Sequence, residues 1–196
     1  TQVVSYDRTG LGWSDPAPAV QDAYESATDL HLALETAGIT GPFVVAGHSY
    51  GGLVVRAFTD LYPDEVVGMV LVDGSHPDQW SHMPASKNGR LNAMMNRITG
   101  WLSRLSVVRL FGLAASLGRG LPEQQAAELE AILNQPQSWA TSSATLAIWH
   151  EQTRPRINQA HSLGNLPLFV LGVTEQPIYG EVLTSLQAEL PALSTN

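Results

Sequence analysis

The residue best placed to do chemistry is Ser49, within Gly47-His48-Ser49-Tyr50-Gly51-Gly52. A serine hydroxyl is a weak nucleophile until a base takes its proton and a donor meets the oxyanion that its attack creates. The flanking residues bear on both needs. The short apolar run Phe43-Val44-Val45-Ala46 precedes the motif and reads as a buried parallel strand. After it, Leu53-Val54-Val55-Arg56-Ala57-Phe58 runs without a breaker to Tyr62-Pro63, long enough for a helix. A bare G-x-S-x-G arises by chance in a chain rich in Gly and Ser. A strand before it and a helix after it give it meaning, because a sharp strand-to-helix turn presents the hydroxyl away from both elements. Gly47 and Gly51 are expected to be glycine because strand and helix pass close there and a Cβ would clash. The Tyr50 N–H is expected at the helix N-terminus, aimed at a developing oxyanion and helped by the helix dipole.

Such a turn needs a sheet and helices to hold it. The chain has 196 residues, 44% hydrophobic and 14% charged, enough for one sizeable domain with a real core. The net charge of −8 argues against nucleic acid and against electrostatic attachment to anionic membranes. The absence of cysteine excludes disulfides, thiolate zinc sites and a cysteine nucleophile. No apolar stretch is long enough to span a bilayer. The first residue is Thr1, not Met, and it enters an apolar run at once, so a missing N-terminus is expected and a signal peptide would not be visible. A cytoplasmic location is the default expectation, and oligomeric state is not legible.

Thr1 to Ser5 reads as the end of a strand. The loop Tyr6-Asp7-Arg8-Thr9-Gly10-Leu11-Gly12-Trp13-Ser14-Asp15-Pro16 has glycines spaced for close backbone passage, and turn geometry accounts for them. It is neither a dinucleotide fingerprint nor a P-loop. Tyr24, Ala27, Leu30, Leu34 and Ala37 recur at helical spacing, with Gly38 as the stop. Pro63 ends the helix after Ser49, and Val66 to Val72 is a second buried-strand run closing in Asp73-Gly74-Ser75-His76-Pro77-Asp78. From Asp78 to Ser162 the texture becomes helical. Trp101, Leu102 and Leu105 are dense in one segment, Pro122-Glu123 opens another helix, and Trp139, Leu146 and Trp149 mark a third. Met94, Met95 and the tryptophans read mainly as a stripe packing this region to itself and to the sheet. Leu166 to Val173 is again a strand, and Glu181 to Leu190 a helix. Strands alternating with helices over short links predict a parallel sheet with crossover helices.

In this order the motifs resemble the α/β-hydrolase family. Tyr6-Asp7-Arg8-x-Gly10-x-Gly12-x-Ser14-Asp15 resembles the loop after an early strand, Gly47 to Gly52 the nucleophile elbow, and Tyr62-Pro63-x-x-Val66 with Val70-Leu71-Val72-Asp73 the next strand. Leu168 to Gly172 resembles the strand returning from the cap. The resemblance implies a partial α/β-hydrolase sheet with a helical cap: residues 1–77 as the first part of the core, 78–163 as the cap and 164–196 as the second part. The family builds about eight strands and this chain offers about four. The chain is therefore expected to be an internal fragment, inactive alone, with the catalytic histidine and the second oxyanion donor outside it. His31, His48, His76, His82, His150 and His161 each read as structural or surface residues. No His-x-x-x-His or acidic cluster suggests a metal, and the chemistry needs no cofactor.

The resemblance further implies a serine hydrolase acting on an ester or similar acyl bond of a small apolar substrate, with Ser49 as nucleophile and Tyr50 as one oxyanion donor. The family places the triad acid after either of two strands, and both offer one: Asp73, and Glu175 in Gly172-x-x-Glu175. Asp73 is preferred because a carboxylate ending a buried parallel strand faces the edge where ligands bind. It could equally cap the strand and bond the turn after it. Asp78 ranks third and reads as a helix cap. A serine nucleophile speaks against the epoxide hydrolases and haloalkane dehalogenases, which resemble this fold but use aspartate. The second reading is a small-molecule sensor of the same fold with little turnover.

Overall fold

The computed structural model describes residues 2–83, 89–105, 110, 118–172 and 180–196. They form two compact units, one of residues 1–20 and 89–148, the other of residues 21–88 and 149–196. The segment expected to form the cap, residues 78–163, is thus divided between the units.

The second unit holds the sheet. Its first helix, α1 (Ala23–Thr36), opens on a capping box: Asp22 accepts from the Tyr24 and Glu25 N–H groups, and the Glu25 carboxylate returns to the Asp22 N–H. It stops as its sequence predicts. Gly38 adopts φ 68°, its N–H reaches Glu35 O at 3.0 Å, and the Ile39 N–H reaches Leu34 O at 2.9 Å, a Schellman closure. Strand β1 (Phe43–His48), helix α2 (Gly51–Leu61) and strand β2 (Val66–Val72) follow as one crossover unit. Short α3 (Gln79–His82) comes next. After the first unit's helices, the chain returns through a π-helical turn (Trp149–Thr153). Then come α7 (Arg154–Gln159), β3 (Leu168–Leu171), α8 (Gly180–Gln187) and a 3-10 turn (Leu190–Leu193).

The three strands pair in parallel in the order β1-β2-β3. Val45 lies opposite Met69, His48 opposite Val72, and Val72 opposite Leu171, so the C-terminal ends of all three strands align. One face of the sheet is covered: Leu53, Ala57 and Phe58 of α2, Ala23 and Ala27 of α1, and Met69 and Leu71 of β2 are sealed from solvent. Each large side chain buried this way contributes about 1.5–3 kcal/mol. Val44, Val72, Phe169 and Leu171 are exposed.

A fourth strand at the N-terminus is not formed. Residues 2–8 carry no regular structure and are mostly exposed. A strand exists through its ladder, and among the described residues none pairs with this segment.

The first unit contains α4 (Gly89–Arg104), α5 (Glu123–Leu133) and α6 (Pro136–Ala147). Its glycine loop closes on itself. Gly10 and Gly12 stand at φ 78° and 55°, the Trp13 N–H meets Asp7 Oδ2 at 3.0 Å, and a Cβ on Gly12 would fall 2.2 Å from the Asp7 carboxyl carbon. Turn geometry therefore accounts for both glycines. Met94, Met95, Trp101 and Leu105 are about half exposed, contrary to the packed stripe expected of them, and Ile98 beside them is too. The α4–α6 packing instead uses the other side of α4, where Ala93 is buried and a Cβ on Gly100 would meet Trp139 Cβ at 3.1 Å.

Candidate active site

Ser49 stands between β1 and α2 at φ 51°, where an L-residue is strained. Backbone bonds on both sides hold it there. Its N–H donates to Val72 O at 3.2 Å, and its carbonyl accepts from Gly52 N at 2.9 Å and Ser75 N at 3.0 Å. The Ser49 side chain is exposed, and its hydroxyl makes no hydrogen bond to the described residues. Strained backbone of this kind persists only where the surroundings over-determine it.

The glycines divide the work differently from the sequence reading. A Cβ on Gly47 would fall 2.3 Å from Gly51 O and 2.7 Å from Gly52 N, so Gly47 is sterically required. A Cβ on Gly51 would meet nothing within 4 Å, which corrects the clash expected there. The third glycine does the packing: a Cβ on Gly52 would meet Gly74 Cα at 3.3 Å, where α2 passes the turn after β2.

Tyr50 takes helical φ and ψ (−57°, −29°) at the N-cap of α2, and its carbonyl accepts from Leu53 N and Val54 N. Its N–H therefore belongs to the positive end of an eleven-residue helix. Its phenol lies 3.4 Å from Thr153 Oγ1 and its ring packs 5.5 Å from that of Trp149. Trp149 is itself fixed by an Nε1–H bond to Pro77 O at 2.7 Å.

Asp73 is the residue after β2, beside Ser49 across the β1–β2 ladder. It stands at φ 46°, and it and Ser49 are the non-glycine residues found at positive φ among those described. Its N–H continues the ladder to Leu171 O at 2.6 Å, and its Oδ1 accepts from Gln187 Nε2 of α8. Glu175 lies outside the described residues. Asp78 does not cap α3 with its side chain. Its carboxylate is taken by Arg154 Nε instead, with Asn158 Nδ2 at 3.4 Å. Burial pushes the Asp78 carboxyl up, but the Arg154 bond and charge outweigh it and hold the group below the usual carboxylate range.

His31, His76, His82 and His161 are engaged elsewhere, His48 is exposed and His150 is half-buried. His31 Nε2 is 2.9 Å from Glu65 Oε1 with its ring stacked on Tyr62, and His161 Nδ1 is 2.6 Å from Asp60 Oδ1. His76 Nδ1 accepts the Asp78 N–H at 3.2 Å, and burial lowers its basicity despite Asp78 and Glu189 nearby. His82 Nδ1 lies 3.1 Å from Asp78 O, and His48 is exposed. None hydrogen-bonds Ser49. Among the described residues no cluster of His, Asp and Glu could hold a metal, and no helix is long and apolar enough to cross a membrane.

Sequence reasoning missed Gln187, Gly74 and Thr153. Only the doubled Gly51-Gly52 hinted at the second of these, since a glycine inside a helix suggests close passage of a neighbour.

A parallel sheet with a crossover helix, a strained exposed serine at the strand-to-helix turn and a carboxylate at the next strand end together define the core of an α/β hydrolase. The chain belongs to the alpha/beta hydrolase family, whose model matches residues 1–194. An uncharacterised protein of Schizosaccharomyces pombe is 33% identical over 113 residues, which make up 57% of this chain and 20% of that protein. Among solved structures, an epoxide hydrolase superposes with TM-score 0.66 at 20% identity, over 85% of this chain and 63% of that one. A thermophilic esterase from Thermogutta terrifontis superposes with TM-score 0.61 at 22% identity, over 96% and 67%. The chain thus spans a fifth of the yeast relative and about two thirds of each solved structure.

Proposed function

We propose that the complete protein is a serine hydrolase that cleaves an ester or similar acyl bond through Ser49, Asp73 and a histidine outside residues 1–196. The observation that carries this reading is Ser49 itself: an exposed hydroxyl on a residue held at φ 51° between β1 and α2. Family membership supports hydrolase chemistry. The epoxide hydrolase and the esterase both share the fold, with TM-scores of 0.66 and 0.61, and the serine at the elbow favours the esterase type.

In this mechanism Ser49 Oγ attacks the carbonyl carbon while the histidine takes its proton. The negative oxygen of the tetrahedral intermediate meets the Tyr50 N–H at the head of α2. Collapse expels the alcohol, which receives the proton from the histidine. Water, activated by the same histidine, then releases the acid from the acyl-enzyme. Asp73 holds the imidazole in its productive tautomer and stabilises its charged form. The segment 78–163 is assigned as the cap, and its Leu, Trp and Met content points to an apolar acyl or alcohol group in the substrate.

A fluorophosphonate probe applied to the complete protein should label Ser49 alone, and Ser49→Ala should abolish labelling. Labelling that survives the substitution would sink the assignment. Multiple fast turnovers of a short-chain ester would separate an enzyme from a sensor, which would release one product slowly and stop.

A further inference from the structure

Gln187, the last residue of α8, is a buried polar residue bonded to the proposed acid. It is only 8% exposed. Its Nε2 donates to Asp73 Oδ1, a bond that spans 114 positions of sequence. A Cβ on Gly172, at the end of β3, would lie 3.2 Å from Gln187 Oε1. The amide therefore sits beside the ends of β2 and β3.

Its seat is rigid. Leu186 beside it is 5% exposed and Leu190 in the following 3-10 turn 1% exposed, and a Cβ on Gly74 would touch Leu190 Cδ1 at 3.6 Å. An apolar side chain of the same length would pack in this position without burying an amide, and an unsatisfied buried amide costs about 1–3 kcal/mol. The C-terminal end of a helix is also a poor neighbour for a carboxylate, because its dipole is negative there. The amide hydrogen is what makes the approach of α8 to Asp73 favourable.

We infer that Gln187 is a positioning residue, fixing the plane of the Asp73 carboxylate so that it can orient the catalytic histidine. The inference rests on the reading of Asp73 as the triad acid. At φ 46° the Asp73 backbone confines its carboxylate near the strand end, and Gln187 restrains rotation about the last side-chain bond. Asp73 makes further interactions, and Gln187 supplies the restraint that comes from α8.

The test is a double-mutant cycle in the complete enzyme with a short-chain ester. Gln187→Met keeps length and removes the donor. It should lower kcat about tenfold, with KM within twofold and the circular dichroism native. In an Asp73→Asn background the same change should alter kcat less than twofold, because the orientation it supports is already gone. Gln187→Glu at pH 8 sets an acceptor against Asp73 and should cost more than Gln187→Met. An equal loss in both backgrounds would make Gln187 a structural anchor only and overturn the inference. So would wild-type kcat in the Glu variant, which remains decisive if the Met variant does not fold. If Asp73→Asn alone left activity intact, the triad reading would fall first, and that result is distinct from either of the others.

Discussion

Ser49 and Asp73 occupy equivalent places, each one residue beyond the end of neighbouring paired strands, and each at a positive φ of 51° and 46°. They are held there by different means. The serine turn is closed by backbone: three main-chain hydrogen bonds to Ser49 and a glycine, Gly47, that cannot carry a Cβ. The aspartate turn has its own ladder bond, to Leu171, but adds a side-chain bond from a helix far along the chain. A turn made of its own backbone and glycines leaves a trace in contiguous sequence. One held by a distant side chain shows its residue, Asp73, but not the Gln187 bond that holds it. The difference therefore predicts which site can be read from the chain and how each will respond to substitution.

The largest expected effect lies on the serine side. Ser49→Ala in the complete enzyme should reduce kcat on the order of a millionfold, measured with a chromogenic ester, while circular dichroism stays native. Retention of even a hundredth of the activity would remove Ser49 from the nucleophile's role. On the aspartate side, Asp73→Asn should cost on the order of ten-thousandfold in kcat, because the imidazole loses its orientation and its counter-charge. Glu175→Gln should cost far less. The reverse ranking would move the acid to Glu175 and reduce Asp73 to a strand cap.

Legibility follows the same division. The β1–α2–β2 unit, the helix stop at Gly38 and the strand at Leu168 were all readable, because apolar runs and breakers are local signals. The N-terminal strand was misread because its residues have strand composition, whereas the strand depends on a partner that composition cannot supply. The exposed Met94 and Trp101 were misassigned because helical spacing marks an apolar face without saying what covers it. Asp78 looked like a helix cap by its place before Gln79, but Arg154, far away in sequence, competes for its carboxylate and takes it. Gln187 had no local signature at all.

Within the serine turn itself the glycines can be set against each other. Gly47→Ala should destabilise the complete protein by about 3 kcal/mol or more, because backbone atoms at 2.3 to 2.7 Å from the new Cβ cannot move aside as a side chain would. Gly51→Ala, with open space around the Cβ and a helical position, should be neutral or stabilising by up to about 1 kcal/mol. Chemical denaturation of both variants decides it. Equal losses would restore the symmetric clash that the motif alone suggests.

The smallest expected effect probes the strain directly. Replacing Ser49 with Gly or with Ala removes the same hydroxyl, so in the folded state the two variants differ in the cost of a Cβ at φ 51°. That conformation costs an L-residue about 1–2 kcal/mol, and glycine returns part of the gain through its freer unfolded chain. Ser49→Gly should therefore be more stable than Ser49→Ala by about 1 kcal/mol, seen as a higher denaturation midpoint. The same pair at Asp73 relieves a backbone at φ 46°, but both substitutions also delete the acceptor of the Gln187 amide and leave that group buried. An unsatisfied amide costs about 1–3 kcal/mol, so Asp73→Gly should fall at or below wild-type stability whereas Ser49→Gly should reach or exceed it. Matching behaviour at the two positions would mean that Gln187 contributes nothing to the aspartate turn, and that backbone alone holds both strand ends.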